Sequence, residues 1–157
     1  MVKAKYKGFF TPQNPKKYVG DLNDIEYRSG YELAYMKYLD KHPDVLQWSS
    51  EEVIVPYKSP ITGRIHRYFP DFVVRFKTTD GKVVTWMVEI KPSVQTREPK
   101  VKKKITNRMI NEVVTFQINK AKWQHADIYC RRKGWIFKII TEKELGNLVW
   151  QPHAKVT

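Results

Sequence analysis

Cysteine is nearly absent from this chain: Cys130 is the only one among 157 residues. One thiol excludes an internal disulfide and any cysteine-based zinc set. Histidine is sparse as well. His42, His66, His125 and His153 are scattered without metal-ligand spacing, so histidine-ligated metal and histidine catalysis have no pattern to rest on. Long apolar runs are missing. Nothing approaches the roughly 18 consecutive apolar residues of a spanning helix, so no membrane partner is expected. The opening Met1-Val2-Lys3-Ala4-Lys5 is basic and lacks the apolar stretch of a secretory signal. Acid is the scarcer charge: 16 Asp and Glu face 29 Lys and Arg, a formal net charge of +13. That excess predicts a polyanionic partner and is silent about the fold.

An apolar fraction of 41% and an aromatic fraction of 13% are enough for one hydrophobic core. The charge is unevenly placed. Residues 1–20 carry 5 basic residues and no acid, residues 21–91 carry 10 basic and 11 acidic, and residues 92–133 carry 11 basic and 3 acidic. A near-neutral block is thus bracketed by two basic flanks. In the second flank, Lys100, Lys102, Lys103 and Lys104 cluster after a proline-containing linker, which favours a phosphate-contacting strip over a solvated tail. The expected organisation is an extended basic arm over 1–24, one domain over 25–150 and a tail over 151–157.

Ser29-Gly30-Tyr31-Glu32 has the form of a capping box and predicts a helix to about Lys41, ending before Pro43. Residues 52–57 read as a short strand, and Pro60 with Gly63 as a turn. Phe69 to Lys77 and Lys82 to Lys91 read as two strands. Phe72, Val74 and Phe76 in the first, and Val84, Trp86, Val88 and Ile90 in the second, all fall on even positions. The two apolar faces coincide only if paired residues share parity. The loop must therefore be Thr79-Asp80-Gly81 with a left-handed Gly81, and Lys82 must pair with Thr78. The same register sets Asp71 opposite Glu89. A long helix is predicted from about Lys103 to Lys133, with a break near Val113-Val114-Thr115 and Gly134 as its C-terminal cap. A last strand, Trp135 to Ile140, precedes a final helix opened by the capping box Thr141-Glu142-Lys143-Glu144. The sum is a mixed α/β domain: helix, three-stranded meander, helix, strand, helix.

Strand periodicity sends Ile90 to the apolar face and Glu89 and Lys91 to the other, with Asp71. Two facing carboxylates repel, and a divalent cation between them removes that cost. Oxygen-only ligands favour a hard ion such as Mg²⁺, which Mn²⁺ can replace. A neighbouring lysine can orient a water or offset phosphoryl charge. Glu32 stands with Tyr35, Met36 and Leu39 on one side of its helix, at the edge of an apolar stripe. Each residue also has an ordinary role: Glu32 as a helix cap, Asp71 as a turn residue after Pro70, Glu89 and Lys91 as an exposed ion pair. The combination, beside a basic flank, favours metal-dependent phosphodiester cleavage.

Pro70-Asp71 followed by Glu89-Ile90-Lys91 resembles the PD-(D/E)XK nuclease motif, with Glu32 in the place of its upstream helical acid. The order of elements is similar to that restriction-endonuclease-like core. More narrowly, the chain is similar to the head completion nucleases of T-even-type tailed phages, and more distantly to the endonuclease subunit of Tn7-like transposases. The matching features are Asn14-Pro15-Lys16-Lys17-Tyr18, Tyr27-Arg28-Ser29 with Glu32, Phe69-Pro70-Asp71-Phe72, Glu89-Ile90-Lys91-Pro92, Asn119-Lys120-Ala121-Lys122-Trp123, and Gly134-Trp135 with Thr141-Glu142. The resemblance implies a double-stranded DNA substrate, action during head completion in the host cytoplasm, a place in or near the virion, and phage head or neck proteins as partners. It implies Asp71, Glu89 and Glu32 as metal-binding acids, Lys91 as the catalytic lysine and Gln117 as an accessory polar residue. Arg97, Lys100, Lys102, Lys103, Lys104 and Arg108, with Lys16, Lys17, Lys120 and Lys122, are the expected backbone contacts, giving affinity without base sequence. A non-catalytic DNA-binding head-closure protein and a restriction-type or transposon-end nuclease are the alternatives.

Overall fold

The computed structural model describes residues 7–150. The first six residues of the basic arm and the 151–157 tail lie outside the described residues. The elements are β1 (Gly8–Phe9), β2 (Glu26–Tyr27), α1 (Gly30–Lys41), β3 (Val45–Ser50), β4 (Val55–Lys58), β5 (Ile65–Tyr68), β6 (Phe72–Lys77), β7 (Val83–Ile90), α2 (Asn107–Lys133), β8 (Ile136–Ile140) and α3 (Glu142–Trp150). Short 3₁₀ turns occur at Pro15–Lys17 and Ser93–Thr96.

A four-stranded sheet in the order β3-β6-β7-β8 forms the centre. The β6–β7 hairpin has the predicted register: Phe72 pairs with Val88 and Lys77 with Val83. The Thr78 N–H donates to the Lys82 carbonyl at 2.7 Å, and Gly81 is left-handed at φ 85°. A side chain at that φ would be strained, so parity and loop chemistry agree on one solution. β8 lies parallel to β7, with α2 as the connection that parallel strands require.

Each sheet face buries its own cluster. The even-numbered residues Phe72, Val74, Phe76, Trp86 and Val88 pack with Tyr35, Met36 and Leu39 of α1 and Leu145 of α3. On the opposite face Met87 packs with Ala126 and Cys130 of α2 and with Val55, Tyr57 and Tyr68 of a separate hairpin, β4–β5. The site residues descend from this second face.

Two expectations are corrected. The first strand of the meander is β3, not residues 52–57, whose β4 belongs to the side hairpin. β3 carries a bulge: Val45 pairs with Phe76 but Gln47 with Arg75, so Leu46 is an extra residue and the alternation of inward residues is broken. Next, α2 is continuous through Thr115 and starts at Asn107, where the Thr106 hydroxyl caps the Met109 N–H at 3.2 Å. Burial of Phe116, Asn119, Ala126 and Cys130 along one face outweighs the weak propensity of the β-branched run. The described part of the expected arm is docked against the domain. Tyr18 is buried, its hydroxyl meets the Ser50 backbone, and the Val19 N–H donates to Trp48 at 2.8 Å. The Asp40 carboxylate accepts from the N–H groups of Gln13 and Asn14 at 2.8 and 2.9 Å. No helix among the described residues is long and apolar enough to cross a membrane.

Candidate active site

Asp71 is the last residue before β6, fixed behind Pro70. Its carbonyl accepts from the Glu51 N–H at 3.1 Å, and its Oδ2 accepts from the Ile90 N–H at 2.7 Å. Glu51 holds this position at a left-handed φ of 55°, a strained conformation for a residue with a Cβ. The Asp71 side chain is thereby pinned to the end of β7, next to Glu89. Burial, then the charge of Glu89, push the Asp71 carboxyl well above the usual carboxylate range; the Ile90 N–H and Lys91 oppose the shift.

Glu89 is 7% exposed, an unusual position for a carboxylate. Its two oxygens are used separately. Oε1 accepts from the Tyr68 hydroxyl at 2.6 Å, and Oε2 lies 3.3 Å from the Lys91 ammonium. Burial and the adjacent Glu89 charge hold the Tyr68 phenol far above its ordinary pKa, so it remains a donor. Lys91 leaves the strand end with its N–H on the Ile140 carbonyl of β8 at 3.0 Å.

Glu32 closes a variant of the capping box. The Ser29 hydroxyl accepts from the Glu32 N–H at 3.1 Å, while the Glu32 carboxylate reaches back to the Arg28 N–H at 3.3 Å, one residue before Ser29. Burial, assisted by Glu51, raises its carboxyl above the usual range. Its charge also reaches Asp71 and adds to the upward shift there. Among the described residues, however, no three His, Cys, Asp or Glu side chains close around one point as a metal cage would. The expected convergence is thus a pair, Asp71 and Glu89, with Glu32 at electrostatic range.

The pair suits a hard divalent cation. Two crowded oxygen donors, one destabilised by the other's charge, gain from an ion that needs only one or two carboxylates and keeps its own waters. A closed tetrahedral zinc site is a different donor set.

The basic residues divide. Arg97, Lys100 and Arg108 line a groove of about 1080 Å³ between residues 94–100 and the first half of α2, where Arg108 also pairs with Glu112 at 3.1 Å. Lys102, Lys103 and Lys104 are exposed on the loop before α2, and Lys16, Gln117 and Lys120 are exposed as well. Lys17 is committed elsewhere: its ammonium donates to the carbonyls of Asp40 and His42 at 3.0 and 2.8 Å, capping the C-terminus of α1. Lys122 folds back, its ammonium 5.6 Å from the Tyr68 ring centre and 5.8 Å from that of Tyr57.

Sequence reasoning missed Tyr68, Glu51 and Arg28, whose guanidinium pairs with Glu51 and Glu26. Tyr68 stands three residues before Asp71, and a tyrosine ahead of that acid was the available signal.

Residues 42–142 match the family described as TnsA-like endonuclease N terminal. The chain belongs to the TnsA-like endonuclease family. The matched stretch runs from the C-cap of α1 to the first residue of α3. It therefore holds the whole central sheet, α2, Asp71, Glu89 and Lys91, and leaves Glu32 outside. The head completion nuclease of Enterobacteria phage T4 is 35% identical over 147 residues, covering 91% of this chain and 95% of that protein.

Proposed function

We propose that this TnsA-like endonuclease family member is a divalent-metal-dependent deoxyribonuclease that cuts phosphodiester bonds of double-stranded DNA during phage head completion. One observation carries the chemistry: a buried glutamate and a pinned aspartate share the end of β7 with a lysine 3.3 Å from the glutamate. A non-catalytic DNA clamp leaves these crowded acids without a use. The similarity to a head completion nuclease supports the biological setting, the infected cell, with head or neck proteins as partners.

Asp71 and Glu89 hold the cation, Mg²⁺ or Mn²⁺, with Glu32 adding negative charge nearby. When bound, the ion supplies Lewis-acid stabilisation of the scissile phosphate and lowers the pKa of a bound water. Lys91 orients the attacking water and offsets charge that develops on the phosphate. Arg97, Lys100, Arg108 and the exposed Lys102, Lys103, Lys104, Lys16 and Lys120 hold the duplex by its phosphates, with Gln117 an exposed accessory contact on α2.

The test is cleavage of supercoiled plasmid with Mg²⁺ or Mn²⁺ against EDTA. Cleavage requires the metal and is lost in Glu89→Ala and Lys91→Ala proteins that still bind DNA. Wild-type cleavage by either variant refutes the assignment.

A further inference from the structure

The side hairpin β4–β5 takes no part in the central sheet, yet its last residue reaches the acids. Tyr68 ends β5, is 5% exposed, and donates its hydroxyl to Glu89 Oε1 at 2.6 Å. Three residues on, the same short segment supplies Asp71, whose Oδ2 takes the Ile90 N–H at 2.7 Å. The segment Tyr68-Phe69-Pro70-Asp71 therefore grips the end of β7 twice, once by the Glu89 side chain and once by the next backbone N–H. Pro70 stiffens the connection. The Tyr68 ring is itself fixed, packed with Val55, Tyr57, Met87, Ala126 and Cys130, and the Lys122 ammonium lies 5.6 Å from its centre.

A carboxylate with one oxygen held by a buried donor cannot rotate freely, and it presents its other oxygen in a fixed direction. We propose that Tyr68 is a positioning residue of the cleavage site, fixing Glu89 so that Oε2, beside Lys91, is the oxygen offered to a divalent cation. This rests on the nuclease reading above. The hairpin then serves as a buttress for a metal-binding carboxylate, which is the common duty of outer-sphere partners.

The probe is Mn²⁺ binding to the full chain, measured by calorimetry without DNA. Tyr68→Phe keeps the ring and removes the donor. It weakens Mn²⁺ binding by about 10-fold or more, and raising Mn²⁺ restores much of the lost cleavage rate. Tyr57→Phe, altering the other ring beneath Lys122, leaves Mn²⁺ affinity at the wild-type value. In wild-type protein labelled at the tyrosine Cζ carbons, the Tyr68 resonance moves on Mg²⁺ addition with the half-saturation of metal binding; this holds the test open should Tyr68→Phe fail to fold. Unchanged Mn²⁺ affinity in folded Tyr68→Phe, or a Tyr68 resonance indifferent to Mg²⁺, overturns the positioning role while leaving the nuclease reading intact. Wild-type protein that neither binds Mn²⁺ nor cuts DNA overturns both.

Discussion

Replacing Asp71 by asparagine should stabilise the metal-free protein while destroying its activity. Asparagine keeps an acceptor for the Ile90 N–H, now 2.7 Å from Asp71 Oδ2, and removes the charge facing Glu89. Directly opposed side chains on antiparallel strands stand about 5 Å apart at Cβ. Two unit charges at that separation repel by about 3 kcal/mol at an effective dielectric of about 20. Lys91, 3.3 Å from Glu89, offsets part of this. The net gain is roughly 1–2 kcal/mol, or about 2–8 °C in Tm for a chain of this size. The pH dependence has a definite sign. The folded-state pKa of Asp71 is raised above its ordinary 3.8. Between the two values the folded state binds more protons than the unfolded one, so wild-type stability falls as pH rises through that window. The Asp71→Asn protein escapes this loss. Its advantage is therefore small near the ordinary value and largest above the raised one. Urea unfolding in EDTA across the acid to mildly alkaline range measures the gap. Added Mg²⁺ then raises the wild-type Tm by mass action and moves the variant much less. An Asp71→Asn protein less stable than wild type at alkaline pH, or a gap that does not shrink toward acid, refutes the reasoning.

Two further outcomes test other parts of the site. Alanine at Lys102, Lys103 and Lys104 together should lower the slope of log affinity against log salt by up to about 2.7, at 0.9 per phosphate contact, read by DNA binding across a salt series; an unchanged slope removes the loop from the interface. Glu32→Gln keeps the acceptor toward the Arg28 N–H but loses the charge felt by Asp71. It should leave thermal stability within about 1 kcal/mol and reduce Mg²⁺-dependent cleavage roughly 10-fold or more, whereas a residue serving only as a helix cap would leave cleavage untouched.

The hairpin was legible because two independent constraints met there. Apolar parity in β6 and β7 demanded a loop of odd length, and Gly81 offered the left-handed residue such a loop needs. The expectation that Asp71 stands opposite Glu89 followed from that register alone; the ladder itself ends at Phe72 and Val88, and Asp71 sits just beyond it, bonded to the Ile90 N–H. The first core strand was not legible, because the bulge at Leu46 erases alternation where the eye looks for it. The docking of the arm was not legible either. Its lysines pointed to DNA phosphates, but Asp40 collects two of its backbone N–H groups, and Lys17 places its ammonium on carbonyls at the end of α1. Composition cannot distinguish a lysine that faces DNA from one that ends a helix.

Glu32 shows where residue-by-residue reading reaches its limit. Cap and functional acid were set against each other as alternatives, yet the structure gives one carboxylate both surroundings: hydrogen bonds from Arg28 and Ser29, and electrostatic contact with Asp71. The cap fixes the carboxylate at the helix start, within electrostatic reach of Asp71 just ahead of β6. Tyr68 carries the same lesson across elements. Its hydroxyl reaches Glu89 only because the β4–β5 hairpin folds onto α2 and the back of the sheet, a docking no local pattern announces. Strand parity can bring two acids together. On the proposed reading, what holds them at one orientation comes from a hairpin and a helix cap outside the sheet, so the chemistry is carried at the ends of β6 and β7 and its precision by their neighbours.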